Sequence, residues 1–176
     1  MSDIFSYQFI AQIIGLLATA FIVGGYLSKH DVKTKYILLF GSLLFAVHFY
    51  MLGAMTAMII NFINIFRVWL SIRFHKSKTL FAAFIVIYAI ALFFTYERWI
   101  DILPFIATVF SCIGMYFLSG INFRKMSALG AIFWLSHNVF ALSWGGIITE
   151  LFILKAHMVT MYRLNKDKKA AHETQR

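Results

Sequence analysis

Three stretches of this chain, Ile10 to Leu27, Ile37 to Gly53 and Phe81 to Phe94, contain no Asp, Glu, Lys or Arg. An apolar helix crosses the hydrocarbon core of a bilayer in about 20 residues, and these runs approach that length. The surplus continues elsewhere: 61% of the chain is hydrophobic and 13% charged, against roughly 45–50% and about 25% in soluble domains. A soluble fold of 176 residues has too little polar surface to cover such a core. The reading is an all-α, multi-pass integral membrane protein.

Hydropathy and helix breakers divide the chain into seven predicted spans, about 8–27, 37–53, 55–72, 79–95, 102–118, 126–143 and 146–163. The joining loops are short, so residues 1–176 form one membrane domain. The net charge of +9 does not point to nucleic acid, because the basic residues fall between and after the apolar runs. Lys29, Lys33 and Lys35, then Arg73, Lys76 and Lys78, then Arg124 and Lys125, then Arg163 to Lys169 occupy alternate connections. Cytoplasmic loops carry the excess of Lys and Arg, so the expected topology has the N-terminus outside and the C-terminus inside. The start, "MSDIFSYQF", has no basic segment ahead of its apolar run, so the first helix is expected to be retained. The tail at 164–176 is polar and expected to run free in the cytoplasm, its lysines near anionic headgroups. Cys112 is the one cysteine, which excludes an intramolecular disulfide and a thiolate-built metal site.

His48 lies inside "GSLLFAVHFYMLGA" and His137 inside "GAIFWLSHNVFALS", each seven residues after a glycine, Gly41 or Gly130. The offset of 89 also relates Ala18 and Thr19 to Ala107 and Thr108, Phe21 to Phe110, and Gly25 to Gly114. It maps repeat one, 8–73, onto repeat two, 102–163, and leaves the fourth span, 79–95, as a linker helix. Two three-span units separated by a single span cross the membrane in the same direction, so the repeats are parallel.

The stretches "IGLLATAFIVGGYLSKHDVKTK" and "FYMLGAMTAMIINFINIF", together with the 3+1+3 pattern, resemble the YgjV-type bacterial inner-membrane protein family. More distantly they resemble the SWEET and PQ-loop (MtN3-like) transporters. Gly53 and Asn61 match the glycine turn after the second helix and the asparagine of the third in that group. The resemblance implies a SWEET-like seven-helix fold, a bacterial inner-membrane location, and movement of a small polar solute such as a sugar between two triple-helix bundles. Ser28 and Lys29 stand where the group has its proline–glutamine pair, with Phe117 and Leu118 at the second repeat's equivalent. Pro104, the single proline, opens the fifth span, where its missing N–H costs little.

Polar side chains inside a bilayer are costly and face a bundle interior or a water-filled cavity. On that ground the candidate solute path comprises Asn61, Asn64, Glu150, Lys155, His48, His137, Trp134 and Asn138. Asn61, Asn64 and Arg67 recur every three residues along one helix face. The asparagines bind either solute or a neighbouring helix, and Arg67 is expected to snorkel to the inner surface. Glu150 stands at the second repeat's equivalent of Asn61, and Lys155 is near mid-span, where insertion costs about 2.5–3.5 kcal/mol. The two histidines either meet across the pseudo-two-fold axis at an outer vestibule or each bond a neighbouring helix. Trp134 is placed to stack on a sugar ring, whereas Trp69, Trp99 and Trp144 fall near span ends as interfacial anchors.

No phosphate-cradling glycine loop, nucleophile elbow or metal-ligand set stands out, so neither enzyme activity nor a cofactor is expected. The expected partners are the lipid bilayer and a small polar solute, with no nucleic acid. The two repeats on one chain allow a monomer or a homo-oligomer. The alternative, prompted by the missing proline hinge, is a non-transporting inner-membrane scaffold.

Overall fold

The structure, a computed structural model, describes residues 2–52, 55–140 and 144–174, with side chains over 8–52, 58–94, 96–140 and 146–173. Seven α-helices run through the described residues: α1 Ser2–Leu27, α2 Asp31–Met51, α3 Met55–Arg73, α4 Lys78–Thr95, α5 Ile102–Phe117, α6 Gly120–Phe140 and α7 Trp144–Thr174. Three helical segments, Gln8–Leu27, Asp31–Met51 and Trp99–Phe117, are long and apolar enough to cross a membrane by length and composition alone. The other helices are shorter or interrupt their apolar runs with polar side chains.

Local chemistry sets the helix ends. Ser77 caps α4, its hydroxyl accepting the Leu80 N–H at 3.3 Å, which satisfies one of the amides that a helix start leaves unpaired. Before α5, Asp101 Oδ2 accepts the N–H groups of Glu97 at 3.0 Å and Arg98 at 2.7 Å. Those bonds fold the link into the single 3₁₀ turn Trp99–Asp101. Gly120 opens α6 at φ +57°, a left-handed conformation that glycine adopts without steric penalty.

Two helices begin earlier than hydropathy predicts, α2 at Asp31 rather than 37 and α6 at Gly120 rather than 126. Their first turns carry Lys33, Lys35, Arg124 and Lys125, which a hydropathy profile assigns to loops. The tail differs more. Rather than running free, 164–174 continues α7, with Lys29 donating to Asp167 Oδ2 at 2.5 Å.

α2 packs against α1 and α3, and α6 packs against α5 and α7. α1 then meets α7 and α3 meets α5, so six helices close into a ring. Along α1 and α7 the contacts advance together: Thr160 Oγ1 donates to the Tyr26 carbonyl at 2.8 Å and Arg163 Nη1 to that of Leu27 at 3.1 Å. Hence α1 and α7 are parallel. α3 and α5 are parallel as well: Arg67 meets Ser111, and one turn further along both helices the Ser71 and Met115 carbonyls share Lys35 Nζ. α4 lies outside the ring against α5, where Phe84 and Tyr88 form a buried cluster with Cys112 and Tyr116.

Close approach inside each half uses small residues, the usual device of helix contacts in lipid. A Cβ on Gly130 would stand 2.9 Å from the Ala107 carbonyl oxygen, and one on Gly41 2.6 Å from Ile22 Cδ1. Large apolar side chains face outward in numbers unlike those of a soluble protein, and several polar ones are buried. Leu16, Phe93 and Phe94 are 71%, 79% and 79% exposed, while Thr34, Ser71, Arg124, His157 and Thr160 are fully buried. Apolar side chains outside and polar ones inside suit a molecule whose solvent is hydrocarbon.

Candidate functional site

The ring encloses a cavity of about 340 Å³ to which all seven helices contribute, within the usual small-molecule range of roughly 300–1,000 Å³. Its two ends differ in composition. At the end where α1 finishes and α2 begins, called here the basic end, the walls are Tyr26, Leu38, Met115 and Ser127. Toward the opposite end they are Phe49, Asn138 and Thr149.

α3 supplies the polar wall. Asn61, Asn64 and Arg67 all line the cavity, as their three-residue spacing predicts. Tyr88 reaches in from α4 and donates its hydroxyl to Asn64 Oδ1 at 2.5 Å. The Arg67 guanidinium lies over the Tyr88 ring, 5.8 Å from its centroid. Its Nη1 donates to Ser111 Oγ at 3.0 Å and, at 3.5 Å, to Cys112 Sγ on α5, while Nε has no partner. Arg67 is 7% exposed. The expectation that it snorkels to a membrane surface is therefore wrong: Ser111 and the Tyr88 ring give the guanidinium a nearer polar environment than the headgroups do.

From the other half, Glu150 and Thr149 on α7 and Trp134 and Asn138 on α6 line the same cavity. Glu150 is half-buried and takes part in neither of the ion pairs found among the described residues. The structure thus brings together five of the predicted residues: Asn61, Asn64, Glu150, Trp134 and Asn138.

Three others lie elsewhere. Lys155 is exposed on the outer face of α7, away from the cavity, because five residues beyond Glu150 turns the side chain well off that face. His48 is 8% exposed and its Nδ1 donates to the Ala11 carbonyl at 2.6 Å. Gly15 opens the space for its ring, since a Cβ there would come within 2.8 Å of it. His137 Nδ1 donates to the Ile100 carbonyl at 3.0 Å. Both bonds span 37 residues. They tie the second helix of each half to the segment that leads it and do not meet at a vestibule. Of the expected interfacial anchors, Trp69 and Trp99 are exposed; the Trp144 side chain and Gly53 lie outside the described residues.

Sequence reasoning missed the basic end. Lys35 and Arg124, expected in cytoplasmic loops, are 5% and 0% exposed. Lys35 Nζ donates to the carbonyls of Ser71 at 3.1 Å and Met115 at 2.6 Å, across the α3–α5 seam. Arg124 Nη2 donates to Asp31 Oδ1 at 3.0 Å and Thr34 Oγ1 at 2.8 Å, and Asp31 Oδ2 also accepts the Gly120 N–H. These bonds tie α2 to α3, α5 and α6 and close the ring below the cavity. The available signal was that Lys35 and Arg124 are themselves 89 residues apart, which marks them as interior positions of the same pattern as the histidines.

Residues 9–168 match the Imp-YgjV family, described as bacterial inner membrane protein. The chain belongs to that family. Among Imp-YgjV relatives, the inner membrane protein YgjV of Escherichia coli (strain K12) is 24% identical over 160 residues, covering 89% of this chain and 87% of the relative. No solved structure matches the chain. Membership identifies the setting of the cavity as the bacterial inner membrane, the location that the outward-facing apolar side chains call for.

Proposed function

We propose that the chain crosses the inner membrane seven times and facilitates movement of a small polar solute, without enzymatic chemistry, through the cavity enclosed by its six-helix ring. The observation that carries this reading is a 340 Å³ cavity lined by Asn61, Asn64, Arg67, Tyr88 and Glu150 inside a protein whose exterior is apolar. A packed scaffold has no use for a wall of polar side chains around open space at this depth, where each is costly to insert.

The wall positions support a duplicated, SWEET-like 3+1+3 arrangement with α4 as linker. Many come in pairs 89 residues apart, among them Phe45 with Trp134, Phe49 with Asn138, Asn61 with Glu150 and Tyr26 with Met115. With the basic end cytoplasmic, as the positive-inside rule requires, the N-terminus is outside and the cavity approaches the outer face. The hydrogen bonds of Lys35 and Arg124 then close the inner face, and one chain suffices to enclose the path.

Thiol accessibility tests the reading. With Cys112 replaced by Ser, single cysteines at positions 61, 64 and 150 should react with membrane-impermeant reagents in right-side-out vesicles, and one at position 34 should not. Protection of all three cavity positions would sink the transport path. It would favour the scaffold reading, which the absence of proline between α1 and α2 supports, since Leu27 to Asp31 is then a plain link without a hinge.

A further inference from the structure

The cavity is lined by two ionisable side chains of opposite type, Arg67 and Glu150, that do not pair with one another. Among the described residues, the Arg67 side chain is met by neutral groups, the Ser111 hydroxyl, the Cys112 thiol and the Tyr88 ring. Glu150 is paired with no cation among the described residues. Their depths explain why. α3 and α7 both run toward the basic end, α7 being parallel to α1 and α3 to α5, and short links reverse the chain between neighbours. Glu150 is six residues into α7 and Arg67 twelve into α3, which sets them at levels differing by about 9 Å at 1.5 Å rise per residue. An isolated charge in a low-dielectric setting is costly until an opposite charge reaches it.

The groups around each charge differ in kind. Trp134 lies six residues from the end of α6 and Phe45 six from the end of α2, which puts two aromatic rings at the level of Glu150. A carboxylate that shares a cavity level with aromatic rings suits an organic ammonium group. Arg67, with the Ser111 hydroxyl beside it, offers N–H and O–H donors that suit a carboxylate.

We propose that the solute is a zwitterion with well-separated charges, its ammonium group held by Glu150 and Trp134 and its carboxylate by Arg67 and Ser111. This rests on the transport reading above and names its substrate class. A neutral sugar would leave both protein charges uncompensated, and a singly charged solute would leave one. A short zwitterion would span too little of the difference in depth.

The test is uptake of labelled 6-aminohexanoate, glycine, glucose and hexanoate into proteoliposomes containing the full chain, each against protein-free liposomes. The expected result is 6-aminohexanoate flux at least tenfold above that of the other three. Glu150→Gln and Arg67→Gln should each lower that flux at least tenfold while eluting as folded protein. The comparison among solutes uses the unaltered chain, so it stands even if a variant does not fold. Glucose or hexanoate flux equal to or above that of 6-aminohexanoate would overturn the zwitterion assignment and leave the transport reading intact. Glycine flux equal to that of 6-aminohexanoate would overturn the charge separation and with it the two-site assignment. No flux of any of the four, combined with unreactive cysteines at positions 61, 64 and 150, would overturn the transport reading itself; with reactive cysteines, it would overturn the zwitterion assignment alone.

Discussion

The closed basic end and the cavity wall handle buried arginine in opposite ways. At the basic end, Arg124 has an anionic partner: Asp31 meets its Nη2 at 3.0 Å and Thr34 adds a second acceptor. In the cavity wall, Arg67 is almost as buried, and its side-chain partners among the described residues are neutral: Ser111, Cys112 and the Tyr88 ring. The first arrangement holds helices together. The second keeps a charge available, at a cost in stability that packing elsewhere must offset. In the transport reading proposed above, residues that stabilise the fold and residues that serve the cavity differ in whether a charged partner already lies within the protein.

The largest expected effect breaks the closed end. Arg124→Met leaves Asp31 without its cation; the carboxylate left behind is 22% exposed and keeps the Gly120 N–H, so the cost falls below the roughly 3–5 kcal/mol of a fully buried pair. Thermal unfolding in detergent should shift down by several degrees, and an unchanged melting temperature would mean that the α2–α6 tie does not hold the ring closed. Arg67→Met should do the reverse at the cavity wall. Replacing a charge that has no anionic partner by an apolar side chain of similar length leaves the melting temperature unchanged or raises it, while solute flux is lost. A strong loss of stability there would show that Arg67 is structural and that the contrast between the closed end and the cavity wall is false.

The next effect compares the two halves through their glycines. Gly130→Ala puts a methyl against backbone, 2.9 Å from the Ala107 carbonyl oxygen, and should cost about 1–3 kcal/mol as helices α5 and α6 are forced apart. Gly41→Ala meets the end of the Ile22 side chain, which can rotate away, and should cost less. Gly24→Ala meets nothing within 4 Å and should be neutral. Equal melting temperatures for the three variants would mean that the halves do not depend on these close approaches.

Smaller still is His137→Phe, which removes the hydrogen bond to the Ile100 carbonyl and should cost about 1 kcal/mol; the same change at His48 should match it if the halves are equivalent. Smallest is Lys155→Gln. With the side chain on the outer face of α7, stability should change by less than about 0.5 kcal/mol and flux not at all. A flux defect would return Lys155 to the path.

Much of this architecture is legible in the sequence because its cause is local. Runs free of charge set the number of helices, the offset of 89 residues aligns His48 with His137 and Asn61 with Glu150, and three-residue spacing puts Asn61, Asn64 and Arg67 on one wall. Reading failed where the fate of a side chain depends on a distant segment. A lysine or arginine at the edge of an apolar run looks like a loop residue, and only the arrival of the Ser71 and Met115 carbonyls, or of Asp31, makes Lys35 or Arg124 an interior one. Likewise Lys155 looks embedded because its neighbours in sequence are apolar, whereas its angle around α7 points it outward.

The sequence by itself therefore determined a helical membrane protein with seven helices and a set of polar positions that are costly in lipid. Only the tertiary structure decided which of those positions surround a shared space, which are consumed in holding the ring shut, and which face outward. The physical reason is that hydropathy and periodicity report a residue's cost in lipid, while its role depends on the partner that offsets that cost, and here many partners come from another helix.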